Sequence, residues 1–173
     1  MQEQVVLVTP EDQVLGLMEK MQAHKSGLLH RAFSVFLFNE KGEMLIQKRA
    51  AQKYHSPLLW TNAVCSHPRA HETYMEGAKR RLKEELGISV ELQEKFNFIY
   101  KAEVGQGLWE HELDHVFVGT YNGDFHLNPN EVAEVQFIDI ESLKKDIQQQ
   151  PARYTEWFKI ILNEYLSEIE HHN

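Results

Sequence analysis

Hydrophobic and polar positions along this chain follow two periods, and the switches between them mark its elements. Residues 5–8 read as a short strand, and residues 13–24 as a second strand running into a helical turn over 17–23. Alternation predicts a strand over 30–38, a turn at Asn39-Glu40-Lys41-Gly42, and a partner strand over 43–48. Residues 59–65 form a further extended piece. The period then changes: over 72–86, Met75, Ala78, Leu82 and Leu86 make one helical stripe, and Gly87 suits the left-handed position beyond its end. Residues 96–104 and 108–121 predict a hairpin turning at Gly105-Gln106-Gly107, and 135–140 predicts another strand. Helices over 141–148 and 152–170 close the chain, the second with Trp157, Ile161, Tyr165 and Leu166 on one face. The implied fold class is α/β, a mixed sheet flanked by helices.

No repeat, low-complexity tract or Gly/Ser linker divides the 173 residues, so a single domain over 1–173 is expected. The formal charge of −8 disfavours nucleic-acid binding, which rests on phosphate neutralisation, yet leaves room for a local basic pocket. One cysteine permits no internal disulfide and fits the reducing cytoplasm. The acidic start Met1-Gln2-Glu3-Gln4 carries no signal-peptide pattern, and no apolar run is long enough to span a bilayer. A monomer acting on a small molecule, with neither nucleic acid nor membrane, is the expectation.

Ten histidines and the spacing of several acids bring metal chemistry into view. On the strand over 108–118, Glu110, Glu112 and Asp114 share one face, while Trp109, His111, Leu113 and His115 share the other. Alone, such carboxylates describe a solvated face; in a cleft their repulsion calls for a metal or a shared proton. Cys65 and His67 also stand two apart. A lone cysteine is commonly a small buried hydrophobe, and single histidines such as His24 and His30 are commonly on the surface. Together, His24, His30, His67, Glu110 and Glu112 would make a nitrogen and oxygen set suited to Zn²⁺, Mn²⁺ or a similar divalent ion. His171 and His172 read as surface residues.

The helix carries the most specific pattern. Glu72, Arg80, Leu82, Glu84, Glu85, Gly87 and Ile88 fall on the Nudix box without insertion. Ser66 replaces the leading glycine, and Arg81 replaces the first glutamate after the arginine. An exposed helix laced with i,i+4 pairs such as Arg81 with Glu85 is the plainer reading. Nudix hydrolases use the replaced glutamate to hold metal and ready a water, so Arg81 argues for gripping a diphosphate without cleaving it.

With Cys65-Ser66-His67-Pro68, this altered box and Trp109-Glu110-His111-Glu112 in that order, the chain resembles the type 1 isopentenyl-diphosphate isomerases. That Nudix-fold family interconverts isopentenyl and dimethylallyl diphosphates through a tertiary carbocation. The likeness runs from about residue 5 to residue 157. It implies an acid/base pair of Cys65 and Glu112 with Tyr100 beside Glu112. It implies one Mn²⁺ or Zn²⁺ (or Mg²⁺) held by His24, His30, His67, Glu110 and Glu112. A second, diphosphate-bridging Mg²⁺ would use Glu85 and the backbone carbonyl of Cys65. Lys20, Arg49, Lys53 and Arg81 would grip the diphosphate, and Trp157 would face the cation. Two other readings stay open at this point: a Nudix diphosphohydrolase, and a catalytically silent diphosphate- or nucleotide-binding module.

Overall fold

A computed structural model of the chain describes residues 3–170, and His171 and His172 lie outside them with Met1 and Gln2. The strands are β1 (Gln4–Val8), β2 (Val14–Glu19), β3 (His30–Phe38), β4 (Met44–Arg49), β5 (Trp60–Thr61), β6 (Val64–Ser66), β7 (Gln93–Glu103), β8 (Trp109–Thr120) and β9 (Val132–Ile138). The helices are α1 (Lys20–Ser26), α2 (Tyr74–Leu86), α3 (Ile140–Gln149) and α4 (Glu156–Glu170), with a 3-10 turn at Pro151–Arg153.

β3 is the strand on which the others converge. It pairs with β8 in parallel along its whole length, from His30 opposite Glu112 to Phe38 opposite Thr120. Its other edge takes β6 antiparallel, with Ser34 opposite Cys65. β8 doubles back on β7 as the expected hairpin, with Tyr100 opposite Glu112. Both faces of β3 are covered, as its near-continuous apolar run requires. Phe33, Val35 and Leu37 pack against Ala78, Leu82 and Leu86 of α2. Phe36 and Phe38, with Val116 and Val118 of β8, pack against Trp157, Phe158 and Ile161 of α4. The alternation therefore puts Glu110, Glu112 and Asp114 on the α4 side of the sheet, in phase with Val116 and Val118.

α2 starts in a capping box, in which Thr73 accepts from the Glu76 backbone and Glu76 accepts from the Thr73 backbone. Gly87 ends it at φ 69°, and a Cβ there would meet the Cβ of His126 at 2.7 Å.

Several element boundaries differ from the pattern's expectation, each because a cross-strand partner decides them. The helical turn expected over 17–23 begins at Lys20, since β2 stays paired with β1 as far as Glu19, which then caps α1. The extended piece over 59–65 splits at Asn62, whose side-chain amide donates to the carbonyls of Val35 and Val64. β9 starts at Val132, drawn out by pairing with Arg49. The last helix starts at Glu156, because Tyr154 and Thr155 run alongside Trp60 instead. Among the described residues, no helix is long and apolar enough to cross a membrane.

Candidate active site and metal centre

Five side chains from four elements meet at the β3/β8 junction. His24 comes from α1, His30 from β3, Glu110 and Glu112 from β8, and His67 from the segment just after β6. Each offers one ligand atom, all within 4.8 Å of one another, and all five residues are buried. His30 Nε2 and His67 Nε2 lie 3.2 and 2.9 Å from one Glu112 oxygen, and His24 Nε2 lies 3.4 Å from Glu110. The far ring nitrogens of His24 and His30 contact the carbonyls of Lys20 (2.7 Å) and Leu28 (2.9 Å). That backbone contact places the proton on Nδ1 and turns each Nε2 lone pair inward, the usual outer support of a metal-ligating histidine. A buried Glu110 oxygen in this cluster has no hydrogen-bond partner. Two carboxylates and three inward imidazoles fit a divalent ion that accepts mixed nitrogen and oxygen ligands.

Titration behaviour follows the same crowding. Burial alone would raise Glu110, but its close polar contacts with Glu112, His24 and His55 outweigh it and hold the carboxyl well below the usual range. Burial opposes the charge on His24, yet the Glu110 carboxylate 3.4 Å away lifts this imidazole above its ordinary value. Burial prevails at His67 and His55, both of which fall below the ordinary value.

Cys65 and Glu112 line one small cavity with Tyr100, Trp157 and Arg49, about 260 Å³ with its open mouth included. The thiol donates to Asn62 Oδ1 (2.9 Å) and accepts from the indole N–H of Trp157 (3.0 Å). Burial, reinforced by the nearby Asp114 charge, pushes this thiol up to about 12. Tyr100 donates to Glu112 Oε1 at 2.6 Å. An adjoining chamber shares Arg49, Tyr54, Cys65, Ser66 and His67, and is walled by Lys20, Lys53 and Arg81. The four cations expected to grip a diphosphate are thus together, on three separate elements and the loop after β4. Carboxylates already pair with three of them: Glu3 with Lys20 and Glu131 with both Lys53 and Arg81, each at 2.7 Å. Glu85 is buried behind this wall, bonded to Arg81 and Gln47. A roomier groove between α3 and α4 collects none of these groups.

Sequence reasoning missed His55, Asn62, Glu3 and Glu131. Asn62 lies in the Trp60-Thr61-Asn62 stretch, where its type gave no hint that it would hold a thiol proton. His55 and Glu131 sit in loops without any period, and Lys53 meets Glu131 across 78 residues.

Comparison with known proteins agrees with this geometry. Residues 28–158 match the NUDIX domain family. The chain is 43% identical over 167 residues to isopentenyl-diphosphate Delta-isomerase 2 of Aromatoleum aromaticum, covering 96% of this chain and 88% of that protein. It is 43% identical over 164 residues to isopentenyl-diphosphate Delta-isomerase of Serratia proteamaculans, covering 95% and 92%. In fold, it resembles the crystal structure of DR0079 from Deinococcus radiodurans with a TM-score of 0.77 at 20% identity, covering 94% of this chain and 99% of that one. Box, cysteine segment, glutamate strand and near-full-length relatives coincide, and the chain belongs to the isopentenyl-diphosphate Delta-isomerases of the Nudix superfamily.

Proposed function

We propose that this protein interconverts isopentenyl and dimethylallyl diphosphates, with Cys65 and Glu112 as its acid/base pair. The observation that carries the reading is the shared cavity of Cys65 and Glu112, opening beside a chamber walled by four cations. An unactivated alkene is a poor base. Its protonation at the terminal carbon leaves a tertiary cation, and loss of a proton from the carbon on the other side completes the shift of the double bond. No atom is gained or lost, so one group must deliver a proton and another must remove one. Cys65 on β6 and Glu112 on β8 flank β3 from its two edges, which supports opposed approach.

The remaining residues serve that step. Tyr100 fixes the Glu112 carboxyl by its 2.6 Å hydrogen bond. Trp157 already carries the Arg49 guanidinium 5.2 Å from its ring centroid and turns its N–H to Cys65, so its indole suits a neighbouring positive charge. Lys20, Arg49, Lys53 and Arg81 bind the diphosphate, with Lys20, Lys53 and Arg81 exchanging their carboxylate partners for phosphate oxygens. Glu112 is buried and Cys65 half-buried, which limits the water able to capture the cation.

His24, His30, His67, Glu110 and Glu112 would hold one divalent ion, Mn²⁺ or Zn²⁺ (or Mg²⁺), and Glu85 with the Cys65 carbonyl would hold a Mg²⁺ that accompanies the diphosphate. When bound, these ions would supply positive charge beside the Glu112 carboxyl and the diphosphate. A monomer of one domain, working in the cytoplasm on a small substrate without nucleic acid or membrane, completes the reading; the net charge of −8 supports it.

Incubation with isopentenyl diphosphate and Mg²⁺ in heavy water tests the proposal. Dimethylallyl signals in the NMR spectrum, with deuterium entering the substrate, are expected. Released phosphate would assign a diphosphohydrolase instead, and binding without deuterium uptake a silent module.

A further inference from the structure

His55 lies outside the five-residue ligand group, yet it is buried at 3% exposure against it. Its Nε2 stands 2.6 Å from Glu110 Oε1, the carboxylate oxygen other than the one facing His24. Its Nδ1 contacts Ser56 Oγ at 3.1 Å. A hydroxyl donated to Nδ1 leaves the ring proton on Nε2, facing Glu110. Nε2 has no aligned hydrogen-bond partner, as the second Glu110 oxygen has none. A buried imidazole nitrogen 2.6 Å from one Glu110 oxygen, beside a second oxygen without a partner, marks a carboxylate whose final orientation is set by something further.

The loop carrying His55 is held in place at a cost. Ser56 and Leu58 both adopt left-handed backbone, at φ 51° and 61°, without being glycine. Such conformations persist only where the surroundings over-determine them. Here Arg49 supplies the restraint, donating to the carbonyls of His55 (3.0 Å) and Ser56 (3.1 Å). Arg49 is also a wall of the anion chamber. One strained loop therefore joins the cation that meets the diphosphate to the imidazole that meets Glu110.

We infer that His55 is a positioning residue of the metal centre: it donates to Glu110 Oε1, so that Oε2 is presented to the ion in a single orientation. It acts through Glu110 and is not a sixth ligand. The inference rests on reading the five side chains as a metal site.

Titration of the metal-depleted protein with Mn²⁺, read by the paramagnetic resonance signal of the free ion, tests this without substrate. His55→Phe keeps an aromatic ring and removes the donor; its Mn²⁺ affinity should fall about ten- to a hundredfold with an unchanged circular dichroism spectrum. His55→Gln restores an N–H and should stay within about threefold of the parent. Because His55 acts through Glu110, adding His55→Phe to Glu110→Gln should weaken Mn²⁺ no further than Glu110→Gln does alone. Parent-like affinity in His55→Phe, equal losses in the Gln and Phe variants, or multiplying losses in the double variant would each overturn the inference. If the Phe variant misfolds, His55→Ala takes its place under the same expectations. A parent chain that takes up no Mn²⁺ would overturn the metal-site reading and this inference together, whereas uptake equal in parent and variant removes the inference alone. In the isomerase assay, KM should stay near the parent value while kcat falls, since the backbone at residue 55, not its side chain, holds Arg49.

Discussion

The two adjoining chambers hold their polar groups by opposite means. In the inner one, Cys65 and Glu112 are held by dipoles: the Asn62 carbonyl, the Trp157 indole N–H and the Tyr100 hydroxyl. In the outer one, Lys20, Lys53 and Arg81 are held by full charges on Glu3, Glu131 and Glu85. Dipolar contacts fix direction while leaving a proton free to move. Ion pairs fix charge and can be traded for another anion. On the proposed reading, the difference separates chemistry from grip: the inner chamber depends on placement, the outer on charge.

The contrast breaks most sharply at the reacting atoms. Cys65→Ala and Glu112→Gln should each lower turnover by about 10³-fold or more, with the fold retained by circular dichroism. A near-normal rate in either variant would remove that residue from the acid/base pair.

The thiol itself offers a second test. With its pKa pushed up to about 12, Cys65 keeps its proton through neutral pH, and thiolate forms only as pH climbs towards that value. Alkylation at pH 8, followed by mass spectrometry, should run about 10³-fold slower than for free cysteine, rising tenfold per pH unit. A rate that levels off near pH 9 would mean that burial does not control this sulfur.

In the outer chamber the expected loss is smaller and of another kind. Arg81→Gln should raise KM for isopentenyl diphosphate about ten- to a hundredfold, the worth of one charge-assisted hydrogen bond, while kcat changes little. An equal fall in kcat would show that grip and chemistry are not separable here. Farthest from both chambers, Thr73→Ala removes the α2 cap and should cost about 1 kcal/mol in a denaturant melt, with kcat/KM unchanged.

What could be read from sequence divides along similar lines. β3, β8 and α2 were legible because their side chains repeat with the period of their own backbone. So was the pairing of Cys65 with His67 and of Glu110 with Glu112, each two apart in extended backbone. The limits at Glu19, Asn62 and Thr155 were not, since partners elsewhere in the chain set them. The five clustered side chains were legible by type and by family likeness, but their convergence depends on β8 lying parallel to β3. His55 and Glu131 left no signal because a loop has no period and a long-range contact has no local spacing.

That parallel pairing has a practical consequence. His30 and Glu112 are direct neighbours across the β3/β8 ladder, so the spacing of their backbones is dictated by interstrand hydrogen bonds rather than by side-chain choice. Sliding β8 by a single step would send Glu110 and Glu112 through to the opposite side of the sheet. On the metal-site reading proposed above, ion content per chain would serve as a gauge of folding fidelity: a misassembled molecule, however well collapsed, would emerge from purification empty.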